Sequence, residues 1–145
     1  MSENTDVPLP RAIIVDLDGT LALLTQRGPY DYLRCHLDVV NEPVKQVVVA
    51  YRACFGKILI ISGREDVARQ MTAAWLERHE LPFDGLFLRR RGDRRRDTVL
   101  KREIFEREIA GRYRIDFVLD DRDQVVAMWR EELGLTCFQV APGNF

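Results

Sequence analysis

One stretch, residues 12–20, limits what this chain can fold into more than any other. An apolar run, Ala12-Ile13-Ile14-Val15, meets two carboxylates two residues apart, Asp16 and Asp18, and then Gly19 and Thr20. A β-branched run without polar alternation is the pattern of a strand buried on both faces, and such strands belong to parallel sheets covered by helices. Asp tolerates irregular backbone angles and Gly19 punctuates the chain, so the strand is expected over 12–16. Open α/β sheets bind ligands beyond the carboxyl ends of their strands, where these acids fall. Two buried carboxylates this close need a proton or a cation between them. Mg²⁺ answers that need, being a hard ion that takes oxygen ligands and tolerates phosphate beside it.

The pattern continues down the chain. A helix is expected to open near Pro43, capped by Asn41, with Val44, Val47, Val48, Tyr51 and Cys54 inward and Gly56 ending it. A second apolar run, Lys57–Ile61, is read as a strand ending at Ser62-Gly63-Arg64. The helix after it, about 66–79, would bury Val67, Met71, Ala74, Trp75 and Leu76 and stop before Pro82. A short strand over 86–88 leads into an arginine-rich loop. A helix over 98–110 follows, with Val99, Ile104 and Ile109 as its core residues. A strand over 115–119 ends in Asp120-Asp121-Arg122, and a last helix and strand close the chain. Strands alternating with helices predict a parallel sheet with right-handed crossovers. Three strand ends then carry usable chemistry: Asp16 and Asp18, Ser62, and Asp120 with Asp121. Leu21–Asn41 reads as irregular.

Composition excludes several alternatives. The 145 residues suit one domain, and 46% hydrophobic with 31% charged residues supports an ordinary core. A net charge of −1 provides no global attraction to polyanions, so any nucleic-acid affinity must be local. Three scattered cysteines without a CxxC pair argue for a reducing compartment, and the cytoplasm is the expected location. Only two histidines are present, so a zinc site is not expected. No apolar segment is long enough to span a bilayer, and the start of the chain, residues 1–11, reads as a flexible tail.

The string Asp-x-Asp-Gly-Thr after an apolar strand resembles the nucleophile motif of the haloacid-dehalogenase-like (HAD-like) phosphatases. The resemblance implies an α/β fold: a HAD-like, Rossmannoid parallel sheet flanked by helices, with a small cap after the first strand. The phosphatase domain would occupy 12–145, with the cap over about 24–42. It implies Asp16 as nucleophile and Asp18 as general acid and base. Ser62 would bind the transferring phosphoryl beside Gly63. Lys101 would be the cation between nucleophile and phosphoryl oxygens, with Asp97 one helical turn before it. Asp16, the backbone carbonyl of Asp18, Asp120 and Asp121 would hold Mg²⁺, with Asp120 favoured over Asp121 as the direct ligand.

Further strings narrow the likeness: Arg27-Gly28-Pro29-Tyr30-Asp31, Ser62-Gly63-Arg64-Glu65, Lys101-Arg102-Glu103-Ile104-Phe105 and Asp120-Asp121-Arg122 followed by Gln124-Val125-Val126. Together they are similar to the phosphatase domain of bacteriophage-type polynucleotide kinase–phosphatases, over nearly the whole chain. That resemblance implies removal of 3′-phosphates, and of 2′,3′-cyclic phosphates, from DNA or RNA ends during repair. Arg27 and Arg64 would grip phosphate oxygens as forks. No Gly-x-x-x-x-Gly-Lys-Ser/Thr string occurs, so the reading is of a stand-alone phosphatase working beside a separate 5′-kinase and ligase; a homo-oligomer is compatible with it. The arginines Arg89, Arg90, Arg91, Arg94, Arg95 and Arg96 could track strand phosphates, or simply form a solvated loop. Tyr30, Tyr32 and Phe87 are the aromatic candidates for a terminal base. Two competing readings are a small-molecule phosphatase such as a nucleotidase, and a non-catalytic nucleic-acid-binding module.

Overall fold

The computed structural model describes residues 7–145, so residues 1–6 of the expected tail lie outside the described residues. The chain forms β1 (Arg11–Val15), β2 (Ala22–Leu23), β3 (Val39–Val40), α1 (Glu42–Cys54), β4 (Lys57–Glu65) and α2 (Arg69–Arg78). It continues through β5 (Gly85–Arg89), α3 (Asp97–Ile104), β6 (Arg114–Asp120), α4 (Asp123–Ala127) and β7 (Cys137–Gln139). Helices α3 and α4 run on as single π-helical turns, Phe105–Ile109 and Met128–Glu132. Five strands make one sheet, all neighbours parallel, in the order β5-β4-β1-β6-β7. The α/β architecture expected from the sequence is the one observed. The winding direction reverses at β1, and the crevice beyond its carboxyl end is where such sheets bind ligands.

Alternation along β1 builds two cores. Ile13 and Val15 pack with Val48, Tyr51, Trp75 and Leu76 on one face of the sheet. Ala12 and Ile14 pack with Leu100, Ile104, Val126 and Trp129 on the other. Burial on both faces is why the strand reads as an unbroken apolar run.

Several expectations need correcting. The second strand does not stop at Ile61. Strand β5 follows it across a register shift, with Ser62 opposite Leu88 and Glu65 opposite Arg89, so β4 extends to Glu65. Ser62 therefore lies in extended chain, inside the strand and not at its end. The stretch read as irregular holds β2 and β3, paired antiparallel, and a 3₁₀ turn over Tyr32–Leu37. Asn41 stands at the start of α1, but its amide donates to the Thr20 carbonyl at 2.8 Å instead of capping. Val47, Cys54, Val67, Ala74 and Val99 are exposed. In α3 the inward stripe is Leu100, Lys101 and Ile104, and at about 100° per residue Val99 points roughly 150° away from its centre. Among the described residues no helix is long and apolar enough to cross a membrane.

Candidate active site

The loop after β1 is wound around one atom. The amides of Thr20, Leu21 and Ala22 all donate to the Leu17 carbonyl, at 3.1, 2.9 and 2.8 Å. Gly19 permits the turn at φ +85°, and a Cβ there would sit 2.3 Å from the Asp121 carboxylate. Asp16 and Asp18 are thereby carried to the mouth of the crevice. Among the described residues no loop hydrogen bond ends on the Asp18 carbonyl.

At the floor, Lys101 on α3 reaches under both flanking strand ends. Its Nζ donates to Asp16 Oδ1 at 2.7 Å and to Asp120 Oδ2 at 3.1 Å. Trp129 Nε1, delivered by the π-helical turn after α4, donates to the same Asp120 oxygen at 3.1 Å. The Asp121 amide donates to the other Asp120 oxygen at 2.8 Å. The Thr20 hydroxyl lies 3.0 Å from Asp16 Oδ2 and 3.2 Å from Asp121 Oδ1, and its single proton serves one of them at a time.

The electrostatics of this floor are unbalanced. Asp16, Asp120 and Asp121 each offer an oxygen, all within 4.8 Å of one another, and all three residues are buried. Burial pushes the Asp16 carboxyl well above the usual carboxylate range, and Asp120 beside it adds to the rise while Lys101 opposes it. Burial also raises Asp121, with Asp120 adding to it. Burial alone would lower the Lys101 pKa, yet Asp120 and Asp16 hold it above the ordinary lysine value. Three carboxylates against one ammonium leave two negative charges uncompensated when all are ionised. A hard divalent cation fits that donor set in both charge and ligand type.

Asp18 faces the cleft from the other side, with 27% of its side chain exposed. Arg64 Nη2 donates to Asp18 Oδ1 at 2.6 Å and Arg27 Nη2 at 3.0 Å. Both guanidiniums also converge on Asp38, a buried acid, through Arg27 Nε at 2.9 Å and Arg64 Nη2 at 2.8 Å. Arg64 Nη1 donates to Thr72 as well, at 3.0 Å. Expected as forks on phosphate, the two arginines are turned inward with fully buried side chains, and Arg27 does not line the cleft. The physical reason is Asp38, whose buried charge requires neutralisation and takes it from both forks.

Ser62 lines the cleft, its Oγ accepting from the Arg64 amide at 3.2 Å. Gly63 beside it has no room for a Cβ, which would meet Asp97 Oδ1 at 2.8 Å. Asp97 does not pair with Lys101. Its carboxylate takes Arg89 on one oxygen and Arg122 Nη1 at 3.0 Å on the other.

The arginine run divides. Arg89 is buried at the edge of the cleft and donates to the carbonyls of Gly63 at 2.9 Å and Arg95 at 2.6 Å, so it holds the loop together. Arg95 is exposed but paired with Asp93 and Glu103. Arg90, Arg91, Arg94 and Arg96 are exposed, and Arg94 and Arg96 line the cleft. Tyr30 and Tyr32, from the segment between β2 and β3, line it too. Phe87 packs against the α3–α4 core. The cleft encloses about 1060 Å³.

Sequence reasoning missed Thr20, Asp38, Trp129 and Arg122 as parts of this network. Thr20 could have been inferred from its place in the Asp-x-Asp-Gly-Thr string. Asp38 carries no local signal at all.

Comparison with known proteins gives a consistent picture. A family model described as "Polynucleotide kinase PNKP phosphatase domain" matches residues 10–145. A putative bifunctional polynucleotide kinase/RNA ligase of Autographa californica nuclear polyhedrosis virus is 37% identical over 134 residues, which is 90% of this chain and 19% of that protein. Chains from two solved structures of a Pnkp1/Rnl/Hen1 complex, one described as an RNA repair complex, superpose with TM-scores of 0.93. They are 43% and 44% identical, over 100% and 97% of this chain and 47% and 49% of theirs. The chain thus spans a fifth of the curated relative and about half of the solved chains.

Proposed function

This chain belongs to the family of polynucleotide kinase PNKP phosphatase domains, and from that premise we propose that it removes 3′-terminal phosphates from DNA or RNA ends with Mg²⁺. The observation that carries the reading is the convergence of three carboxylates and one buried lysine beneath a cleft far larger than a phosphate group. Asp16 attacks phosphorus, a carboxylate–phosphorus bond forms, and the bond to the terminal 3′ oxygen breaks. Asp18 delivers the proton to that oxygen, then takes one from the water that frees inorganic phosphate and restores Asp16. Arg27 and Arg64, anchored on Asp38, hold Asp18 in place by direct hydrogen bonds, and Arg64 also lines the cleft. Lys101 keeps Asp16 aligned, and Ser62 with the adjoining backbone binds phosphoryl oxygens. Asp16, Asp120, Asp121 and the Asp18 carbonyl would hold Mg²⁺, which supplies positive charge to the transferring group.

The segment expected as a cap, residues 24–42, is short, and a small cap suits a polymer end better than a fully enclosed monomer. The relatives' descriptions name a kinase, a ligase and an RNA repair complex. Kinase and ligase activities are therefore the proposed partners of this domain, and RNA ends are proposed alongside DNA ends. The cytoplasm is the proposed compartment, where Cys35, Cys54 and Cys137 remain thiols.

The test is an assay panel of 3′-phosphorylated DNA, 3′-phosphorylated RNA, cyclic-phosphate RNA, 3′- and 5′-mononucleotides and a generic phosphate ester. Strand ends are expected to be consumed with the highest kcat/KM. Equal turnover of mononucleotides would favour the nucleotidase reading. EDTA is expected to silence the enzyme and Mg²⁺ to restore it, and Mg²⁺ alone should raise the melting temperature, measured by calorimetry. Changing Arg90, Arg91, Arg94 and Arg96 to Gln is expected to weaken oligonucleotide binding. Each arginine that neutralises a phosphate should account for about 0.7 of the log–log salt slope on single strands. Turnover of a small ester should not change. Loss on both substrates alike would place those arginines in the chemistry.

A further inference from the structure

We infer that Tyr30 is a stacking platform for the nucleobase at the phosphorylated end, an inference that rests on the polynucleotide reading above. Residues Gly28 to Asp31 form a turn in which the Asp31 amide donates to the Gly28 carbonyl at 3.1 Å. Pro29 occupies the second position of that turn, where its fixed φ stiffens the chain, and Tyr30 the third. The turn is also fastened from below. Arg27 Nη1 donates to the same Gly28 carbonyl at 3.1 Å, while its Nε and Nη2 are locked on Asp38. The ring is therefore presented from a rigid support, which lowers the ordering loss on binding.

Nothing covers it. Tyr30 is 84% exposed, although it lines the cleft that contains Asp16, Asp18 and Ser62. The cleft's roughly 1060 Å³ leaves most of its space for the sugar and base once the phosphoryl group sits on the charged floor. The same cleft is lined by Arg94 and Arg96, suited to the next backbone phosphates. The other exposed ring of the cleft, Phe145, has a face taken by the Arg122 guanidinium, 5.3 Å from the ring centre. Tyr32 is partly buried at the start of its 3₁₀ turn. Among the described residues of the cleft Tyr30 is the ring with open faces, and every base has a face to stack on it, so the platform tolerates any terminal nucleotide.

The experiment compares Tyr30→Ala and Tyr30→Phe on three substrates: a 3′-phosphorylated oligonucleotide, the same strand with an abasic terminal residue, and p-nitrophenyl phosphate. Tyr30→Ala is expected to raise KM on the normal strand about tenfold and to leave kcat, the abasic strand and the small ester unchanged. Tyr30→Phe should behave as wild type, because stacking needs the ring and not the hydroxyl. A readout without turnover uses 2-aminopurine at the 3′-phosphorylated terminus, bound to the Asp16→Asn protein. Its fluorescence should be quenched on binding, and the quenching should be lost in the Asp16→Asn, Tyr30→Ala protein. If the wild type prefers strand ends yet Tyr30→Ala affects normal and abasic strands alike, or neither, the platform is overturned and the polynucleotide reading stands. If the wild type neither binds nor prefers strands, both are overturned.

Discussion

Asp16→Asn will abolish phosphate release, by roughly 10⁴-fold or more in kcat, the scale on which loss of a nucleophile is felt. The amide matches the carboxylate in shape and can still accept from Lys101, but it cannot open a covalent route through phosphorus. Stability should move in the opposite direction. The folded protein raises the Asp16 pKa through burial and through Asp120, so its ionised form is disfavoured relative to the unfolded chain. At neutral pH, above the unfolded value, that ionised group destabilises the fold. The Asp16→Asn protein should therefore melt in EDTA at or above the wild-type temperature. Calorimetry and a malachite-green phosphate assay on the same preparation check both halves. An inactive protein that also melts well below wild type would indicate misfolding instead of a lost nucleophile.

Lys101→Met will be both inactive and unstable. Lys101 is 2% exposed and supplies the one ammonium among three clustered carboxylates. Removing one partner of a buried ion pair costs about 3–5 kcal/mol, which for a domain of this size lowers the melting temperature by about 10 °C. Part of that loss should return when Mg²⁺ is added, because the cation then supplies the missing charge. The shift produced by Mg²⁺ should be larger in Lys101→Met than in wild type, as measured by thermal melts at matched ionic strength. Lys101→Arg should not rescue turnover, since a planar fork does not fit a site shaped for a compact point charge. A Lys101→Met protein with unchanged melting behaviour would remove the lysine from the floor's charge balance.

How much of this was readable in advance follows from which forces act locally. Strands β1 and β4 were visible because burial on both faces leaves an unbroken apolar run. The acids at the ends of β1 and β6 were visible because nothing apolar explains them. What the sequence hid depended on partners far along the chain. Asp38 lies 11 residues beyond Arg27 and 26 before Arg64, with no motif around it, so the inward turn of both arginines had no local trace. The second strand looked shorter because the apolar run ends at Ile61, whereas pairing with β5 carries it onward through Ser62. Within the arginine run, composition gave Arg89 and Arg90 the same standing. Only the last position of β5, facing the Gly63 carbonyl and Asp97, makes the first of them a structural tie.

That tie has a mechanical outcome. Arg89 joins the backbone beside Ser62, the start of α3 and the carbonyl of Arg95 through one guanidinium. The basic rim and the floor of the cleft are thus clamped together like two jaws of a fixed-gap gauge. Under the proposed function, a strand seated on that rim would meet Asp16 at one set depth, which suits a tool that trims the tip of a chain and leaves its interior alone.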